Sequence, residues 1–538
     1  MNFLLQRRWA TRWRQCAGIL GLALVVVACA PDGAREEQNR RIFLGGVVAD
    51  EPRAALAGQT VLEQGGTAAD ALTATFFALT ATYPVAAGLG GGGTCVYFDG
   101  LTRTAESIEF LPHTPAGGGE IAIPGAVRGV AAIHSRFGRL RWAQVVLPAE
   151  SLARLGHLAS RSLVRRTGEY VARVPNAALS RLAGSGSVIA EGAKLEQPEL
   201  ATTLSQIRLR GAGDFYFGQT ATAFIDGTAP FGGRITEEDL RSYLPQWKRV
   251  ETINFASLAL YTNAAQPPGG TVAAATWAML TERDRYRAAP AEERGHLLAE
   301  ASARAFTDVA AGASFSAFRA QNLLATYSPA QRVAPSAVLD LGPWARAITD
   351  GSTGVVAVDR EGSAVACAFS MAAPFGIGRA VLPMGVYPAP SGPIDTEGWL
   401  QSGNGFLAPL LIANPTTGEL VFAGVGSNGP MGITGVVQAG LGAIVEGRSL
   451  AQAVSAPRLF STGASAQTFI EPGYPDADRA ELERRGHAIV PTQQGALVNA
   501  ISCFGGLKLD PGSCELVTDP RGYGMAAGGL GGFVQIRR

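Results

Sequence analysis

The residues best placed to do chemistry lie at one junction, Asp350-Gly351-Ser352-Thr353-Gly354. A loop reaches a glycine and two hydroxyl residues follow. The apolar run Val355-Val356-Ala357-Val358 then begins at once and turns at Asp359-Arg360-Glu361-Gly362. A hydroxyl at the head of a strand can attack the carbonyl carbon before it, here that of Gly351, and open the chain at its own amide. The α-amine released at Ser352 then serves as general base for its own hydroxyl. A free α-amine titrates at about 7.7–8.0, which suits that task, so no histidine is needed. Gly-Ser-Thr-Gly also occurs in ordinary turns, and Thr353 is a rival nucleophile. The five histidines, His113, His134, His157, His296 and His487, include no two at the three-to-five spacing of a helical or finger-type metal site. A zinc enzyme is not expected, and neither a metal nor a cofactor is predicted.

The elements around this junction must come from a folded chain. Apolar residues make up 47% and charged residues only 17%, which excludes disorder for most of the sequence. The formal net charge of +1 gives no basis for electrostatic capture of nucleic acid. Gly45–Ala49 reads as a strand, and Pro52–Gln64 and Asp70–Thr82 as helices. The glycine run Gly88–Gly93, with Leu89 inside it, leads into a strand over Thr94–Phe98. That run lacks the Lys-Ser/Thr ending of a phosphate loop and precedes a strand, so close backbone packing is the expected use. Alanine-rich helical patterns follow at Trp142–Leu155, Pro198–Arg210, Glu237–Tyr243, Ala274–Thr281 and Ala291–Val309. From Gly354 onward, short apolar runs at Val355–Val358, Ala364–Phe369, Leu410–Ala413, Leu420–Ala423 and Phe469–Glu471 read as strands. Two such blocks suggest a layered α/β or α+β body with no internal repeat.

The first residues read as an address. Arg7, Arg8, Arg12 and Arg14 precede an apolar run, Ala17–Ala28, that is too short to span a bilayer. Val26-Val27-Ala28-Cys29 resembles the lipobox of bacterial lipoproteins, so residues 1–28 are expected to be a signal, with Cys29 lipidated and 29–44 a tether. Ala30 after the cysteine implies sorting to the outer membrane, on the periplasmic side of the cell envelope. In such an oxidising compartment Cys503 and Cys514, separated by the turn Asp510-Pro511-Gly512, are a possible disulfide across a hairpin. Cys95 and Cys367 read as buried small apolar residues.

The wider sequence resembles the γ-glutamyltransferases. The resemblance runs through Val47-Val48-Ala49, Gln64-Gly65-Gly66-Thr67-Ala68-Ala69-Asp70, Gly90–Gly93, Ile123-Pro124-Gly125, Gln197-Pro198-Glu199-Leu200, Pro267-Pro268-Gly269-Gly270, Ala456-Pro457-Arg458 and Thr518-Asp519-Pro520-Arg521. These motifs are colinear over nearly all of residues 45 to 535. The resemblance implies an α+β fold, the four-layer αββα sandwich of N-terminal nucleophile hydrolases. It also implies a precursor cut into a large part, 45–351, and a small part, 352–538, which stay associated. The family chemistry is transfer or hydrolysis of a γ-glutamyl group, as from glutathione. By the same resemblance Ser352 takes the nucleophile position with Thr353 after it, and Ser370 the position of a supporting hydroxyl. The oxyanion-binding turn maps loosely onto Gly426-Ser427-Asn428-Gly429, which marks Ser427 and Asn428.

Departures concern the head group of the substrate. The family's carboxylate-binding arginine falls on Leu111 and an asparagine on Ala372. A polar loop falls on Pro388–Ile394, and a serine pair lies near Gly405-Phe406. Two function classes follow: an envelope hydrolase or acyltransferase acting on small-molecule amides, γ-glutamyl or less polar, and a non-catalytic lipoprotein that keeps the fold.

Overall fold

β-Branched and small residues without charge build the strands here, and alanine-rich stretches with their own caps build the helices. The computed structural model describes residues 43–171, 188–264, 268–313, 351–392, 403–463, 466–493, 495–507 and 509–530. Cys29, the signal and the tether up to residue 42, together with Asp350, lie outside them, whereas Phe43 and Leu44, the last two residues of the expected tether, belong to the first strand. Leu44–Gly529 form one compact unit.

The elements that frame the site begin with β1 (Phe43–Ala49), α1 (Pro52–Glu63), α2 (Ala68–Thr82), β2 (Gly92–Asp99) and β3 (Thr104–Glu109). Next come α3 (Ala126–Phe137), α4 (Trp142–Leu155), α5 (Pro198–Arg210), β4 (Gln246–Arg249), β5 (Glu251–Phe255), β6 (Leu258–Thr262), α6 (Gly269–Thr281) and α7 (Ala291–Ala310). The remainder holds β7 (Ser352–Val358), β8 (Ala364–Ser370), β9 (Ala408–Ala413), β10 (Leu420–Ser427), α8 (Pro430–Gly440), β11 (Leu459–Phe460) and β12 (Gln467–Ile470). It closes with α9 (Asp476–Arg484), β13 (Ala488–Pro491), β14 (Leu497–Cys503), β15 (Cys514–Val517) and β16 (Met525–Leu530). Helix α2 starts two residues before the expected Asp70 because Thr67 and Asp70 cap it reciprocally.

Seven strands form one sheet in the order β16-β1-β7-β8-β2-β3-β4, and six form a second in the order β15-β14-β10-β9-β6-β5. Strands β11, β12 and β13 make a small third sheet. Period-two alternation sends Val355 and Ala357 of β7 into one apolar cluster with Phe76 and Phe77 of α2. The opposite face of β7 meets the second sheet, where a Cβ on Gly354 would lie 2.4 Å from Val425 of β10. Beyond that sheet, Trp277 of α6 and Val436 and Val437 of α8 pack on Leu260, Leu410 and Phe422. The fold is therefore α+β, a four-layer αββα sandwich of the N-terminal nucleophile hydrolase type.

The glycine run packs backbone against backbone. A Cβ on Gly90, Gly91, Gly92 or Gly93 would stand 2.3–2.6 Å from a carbonyl oxygen of a neighbouring segment. Cys95 and Cys367 correct the sequence reading: they face each other across β2 and β8 and are joined as a disulfide. Each alone reads as an apolar strand residue, and only the register of strands 272 residues apart makes them partners. Cys503 and Cys514, opposed across β14 and β15, are joined as well.

Candidate active site

Ser352 is the first residue of β7, a central strand, and stands directly opposite Ser370 at the end of β8. Both hydroxyl residues share the face that meets the second sheet. There β10 ends at Ser427, and the Asn428 N–H points at Ser352 Oγ, 3.4 Å away. Ser352, Thr353, Ser370, Ser427 and Asn428 are all buried, none more than 6% exposed. The turn that aims the Asn428 amide is unusual, with Asn428 at φ +85° and Gly429 at φ +62°. It fits there because Gly426 lets α8 approach β10; a Cβ on Gly426 would lie 2.0 Å from Gly432 O. The Asn428 side-chain amide donates to Gly495 O at 2.7 Å, so the donor turned towards Ser352 is the backbone N–H. Ser427 Oγ and Asn428 Oδ1 are buried polar atoms without a hydrogen-bond partner among the described residues.

The junction before β7 is equally constrained. Gly351 O accepts from Met371 N–H at 2.8 Å, and Ser370 Oγ accepts from Ala372 N–H at 2.9 Å. A Cβ on Gly351 would lie 2.2 Å from Ala373 O, which explains the glycine. Ala372 itself holds φ +62°, a strained region for a residue with a side chain.

Thr353, the next residue along β7, has a different partner: its hydroxyl donates to Asp50 Oδ2 at 2.7 Å. Asn499 of β14 donates to Asp50 Oδ1 at 2.7 Å and to Gly354 O at 2.9 Å. Burial raises the Asp50 carboxyl above its ordinary pKa, and the bonds from Thr353 and Asn499 oppose that shift. Thr518 donates to Asn499 Oδ1, while Asp519 accepts from Val498 N–H and pairs with Arg458 at 2.7 Å. The motifs around Arg458 and Asp519 are thus a brace behind β14, which in turn clamps β7.

Leu111 is wholly buried, and its carbonyl accepts from the Tyr243 hydroxyl at 2.9 Å. It follows β3, whose neighbour β2 begins at Gly92, opposite Ser370. Phe406 is buried just before β9, and of Pro388–Ile394 only the first five residues are described. Sequence reasoning missed Asp50, Met371 and Asn499, whose side chains or amides act across long chain separations. It also missed a buried group of His296, Glu300 and His487. The His296-x-x-x-Glu300 spacing on an expected helix was the available signal.

The gamma-glutamyltranspeptidase family model matches residues 54–117, 112–387 and 405–529. The glutathione hydrolase proenzyme of Pseudomonas aeruginosa is 30% identical over 49% of this chain and 51% of its own. The acylase ACY 1 proenzyme of Pseudomonas sp. strain SE83 is 28% identical over 85% of this chain and 89% of its own. The chain spans about half the length of several curated relatives it matches, the P. aeruginosa protein among them. Cephalosporin acylase from Bacillus halodurans shares the fold, with a TM-score of 0.75 at 21% identity over 90% of this chain and 96% of that one.

Proposed function

This chain belongs to the gamma-glutamyltranspeptidase family, and on that premise we propose that it is a self-cleaving amidohydrolase or acyltransferase whose nucleophile is Ser352. The observation that carries the reading is the placement of Ser352 at the head of a central strand, opposite Ser370 and under the Asn428 N–H.

In maturation Ser352 Oγ adds to the Gly351 carbonyl carbon. The Gly351–Ser352 C–N bond breaks as the nitrogen takes the proton, and water hydrolyses the resulting ester to a Gly351 carboxylate. The Met371 N–H, already bonded to Gly351 O, stabilises the oxyanion of that step. In turnover the free amine of Ser352 takes the Oγ proton, Oγ adds to the substrate acyl carbon, and the proton passes to the leaving amine. Water or a second amine then releases the acyl group. The Asn428 N–H is the oxyanion donor, and Ser427 Oγ and Asn428 Oδ1 are free to meet the substrate.

We favour an amide whose acyl group lacks an amino-acid head group. Leu111 offers no guanidinium for a carboxylate, Ala372 no amide, and a relative aligned over most of both chains is named an acylase. γ-Glutamyl amides are the second reading, favoured by the P. aeruginosa relative. Two disulfides accord with an oxidising envelope compartment, where Cys29 would carry lipid.

The test is the mass of the reduced mature protein, wild type and Ser352→Ala. Two chains, the second starting at Ser352, are expected in the wild type, and one in the variant. One chain in both would leave the non-catalytic binding role. In the cut protein, Ser352-dependent turnover of an aliphatic acyl amide but not of a γ-glutamyl anilide supports the preferred substrate; the reverse pattern replaces it with the second reading.

A further inference from the structure

We propose that His296, Glu300 and His487 form a buried binding site for a divalent transition-metal ion of the zinc class. The site stands apart from the strands that carry Ser352 and does not depend on the catalytic reading.

His296 and Glu300 are four residues apart on α7, which puts them on one face of the helix. His487 sits between α9 and β13, so a second segment brings the third group. His296 Nδ1 lies 2.8 Å from His487 Nε2, and Glu300 Oε1 lies 3.7 Å from that same nitrogen. All three ligand atoms fall within 4.8 Å of one another. A zinc ion with bonds of about 2.0–2.1 Å and tetrahedral angles spaces its ligand atoms by about 3.4 Å, between the two observed separations.

The three ligand atoms, two imidazole nitrogens and one carboxylate oxygen, are close enough to share one ion. The remaining nitrogen of His487, Nδ1, is 2.8 Å from Thr468 Oγ1. With Nδ1–H donating to that hydroxyl, Nε2 keeps its lone pair for an ion; a ligating histidine is characteristically oriented in this way by its other nitrogen. His296 and Glu300 are each 1% exposed and His487 4%. Two nitrogens and one oxygen suit zinc better than magnesium or calcium, which prefer all-oxygen shells.

The three ligands come from both sides of Gly351, so an ion here fastens α7 to the small sheet of β11, β12 and β13. Its effect is structural: metal binding that exists only in the folded state adds to folding stability.

The experiment uses the untagged full chain. Elemental analysis after chelator-free purification should find about one zinc per chain. Cobalt(II) titrated into chelator-treated protein should give the visible bands of a tetrahedral nitrogen/oxygen site. Restoring zinc should raise the thermal midpoint. Glu300→Gln, which keeps the side-chain size, and His487→Gln should each weaken cobalt binding at least about tenfold, the loss typical of a disturbed metal shell. Wild-type protein with no bound metal, no cobalt bands and a midpoint unmoved by zinc would overturn the site and leave a hydrogen-bonded imidazole pair. Cobalt bands that survive in both variants would overturn it too, by placing the metal elsewhere. If a variant does not fold, the wild-type titration still decides.

Discussion

Ser352 and Thr353 carry the same functional group on adjacent residues, and the pleat of β7 gives them different partners. Ser352 faces Asn428 and Ser370, whereas Thr353 donates to the buried Asp50 carboxylate. Thr353→Val would leave Asp50 with one hydrogen-bond donor fewer in a site where burial already disfavours its charge. The expected cost is about 1–3 kcal/mol in urea unfolding, with cleavage still producing a chain that begins at Ser352. A folded Thr353→Val protein that stays uncut would transfer the nucleophile role to Thr353. The hydroxyl pair was legible in the sequence because a glycine, two hydroxyl residues and an apolar run are contiguous. Asp50 and Asn499 were not: their partners lie 303 and 449 residues away, and neither Asp50 after a strand nor Asn499 within one carries a local signature.

At the scale of single elements, legibility followed self-sufficiency. Trp142–Leu155 and Pro198–Arg210 run over the expected residues because apolar periodicity and flanking residues, including a first-turn proline and a closing glycine, are local. Strand pairing is not local, and so the disulfide between β2 and β8 was invisible. That bridge joins a residue before Gly351 to one after it. Cleavage at Gly351–Ser352 therefore yields two chains held by a covalent bond. On a denaturing gel the wild type should run as one species without reductant and as two with it. Cys95→Ser should release two species under both conditions. Two unreduced wild-type bands would mean that β2 and β8 are not bridged in the mature protein. The Cys503–Cys514 bridge, closed within one hairpin after Gly351, cannot substitute for it.

Across the whole fold the two parts of the chain interleave. In the first sheet, β7 and β8 from after Gly351 lie between β1 and β2 from before it, and in the second sheet β9 pairs with β6. The sequence disclosed a layered α and β body but not this order, since nothing local tells β1 to pair with β7. Asp359 secures the interleaving: in the turn between β7 and β8, it accepts from Ala68 N–H at the start of α2 and from the Glu361 and Ser363 N–H groups. Burial is the main cause that pushes its carboxyl up to about 6, against an ordinary value of about 3.9. Between those values the folded protein binds more protons than the unfolded chain, so stability is fullest below about pH 4 for this group and falls as pH rises through about 6. Across that window the loss amounts to about 3 kcal/mol. Burial also raises the carboxyls of Asp50 and Glu51, which adds slope of the same sign. Asp359→Asn removes only the Asp359 part, and other titrations cancel when the two proteins are compared. The stability advantage of wild type over Asp359→Asn should therefore be larger at pH 4 than at pH 7 in denaturant unfolding. Parallel pH profiles would show that Asp359 stays ionised across the window, with its three backbone N–H donors outweighing its burial.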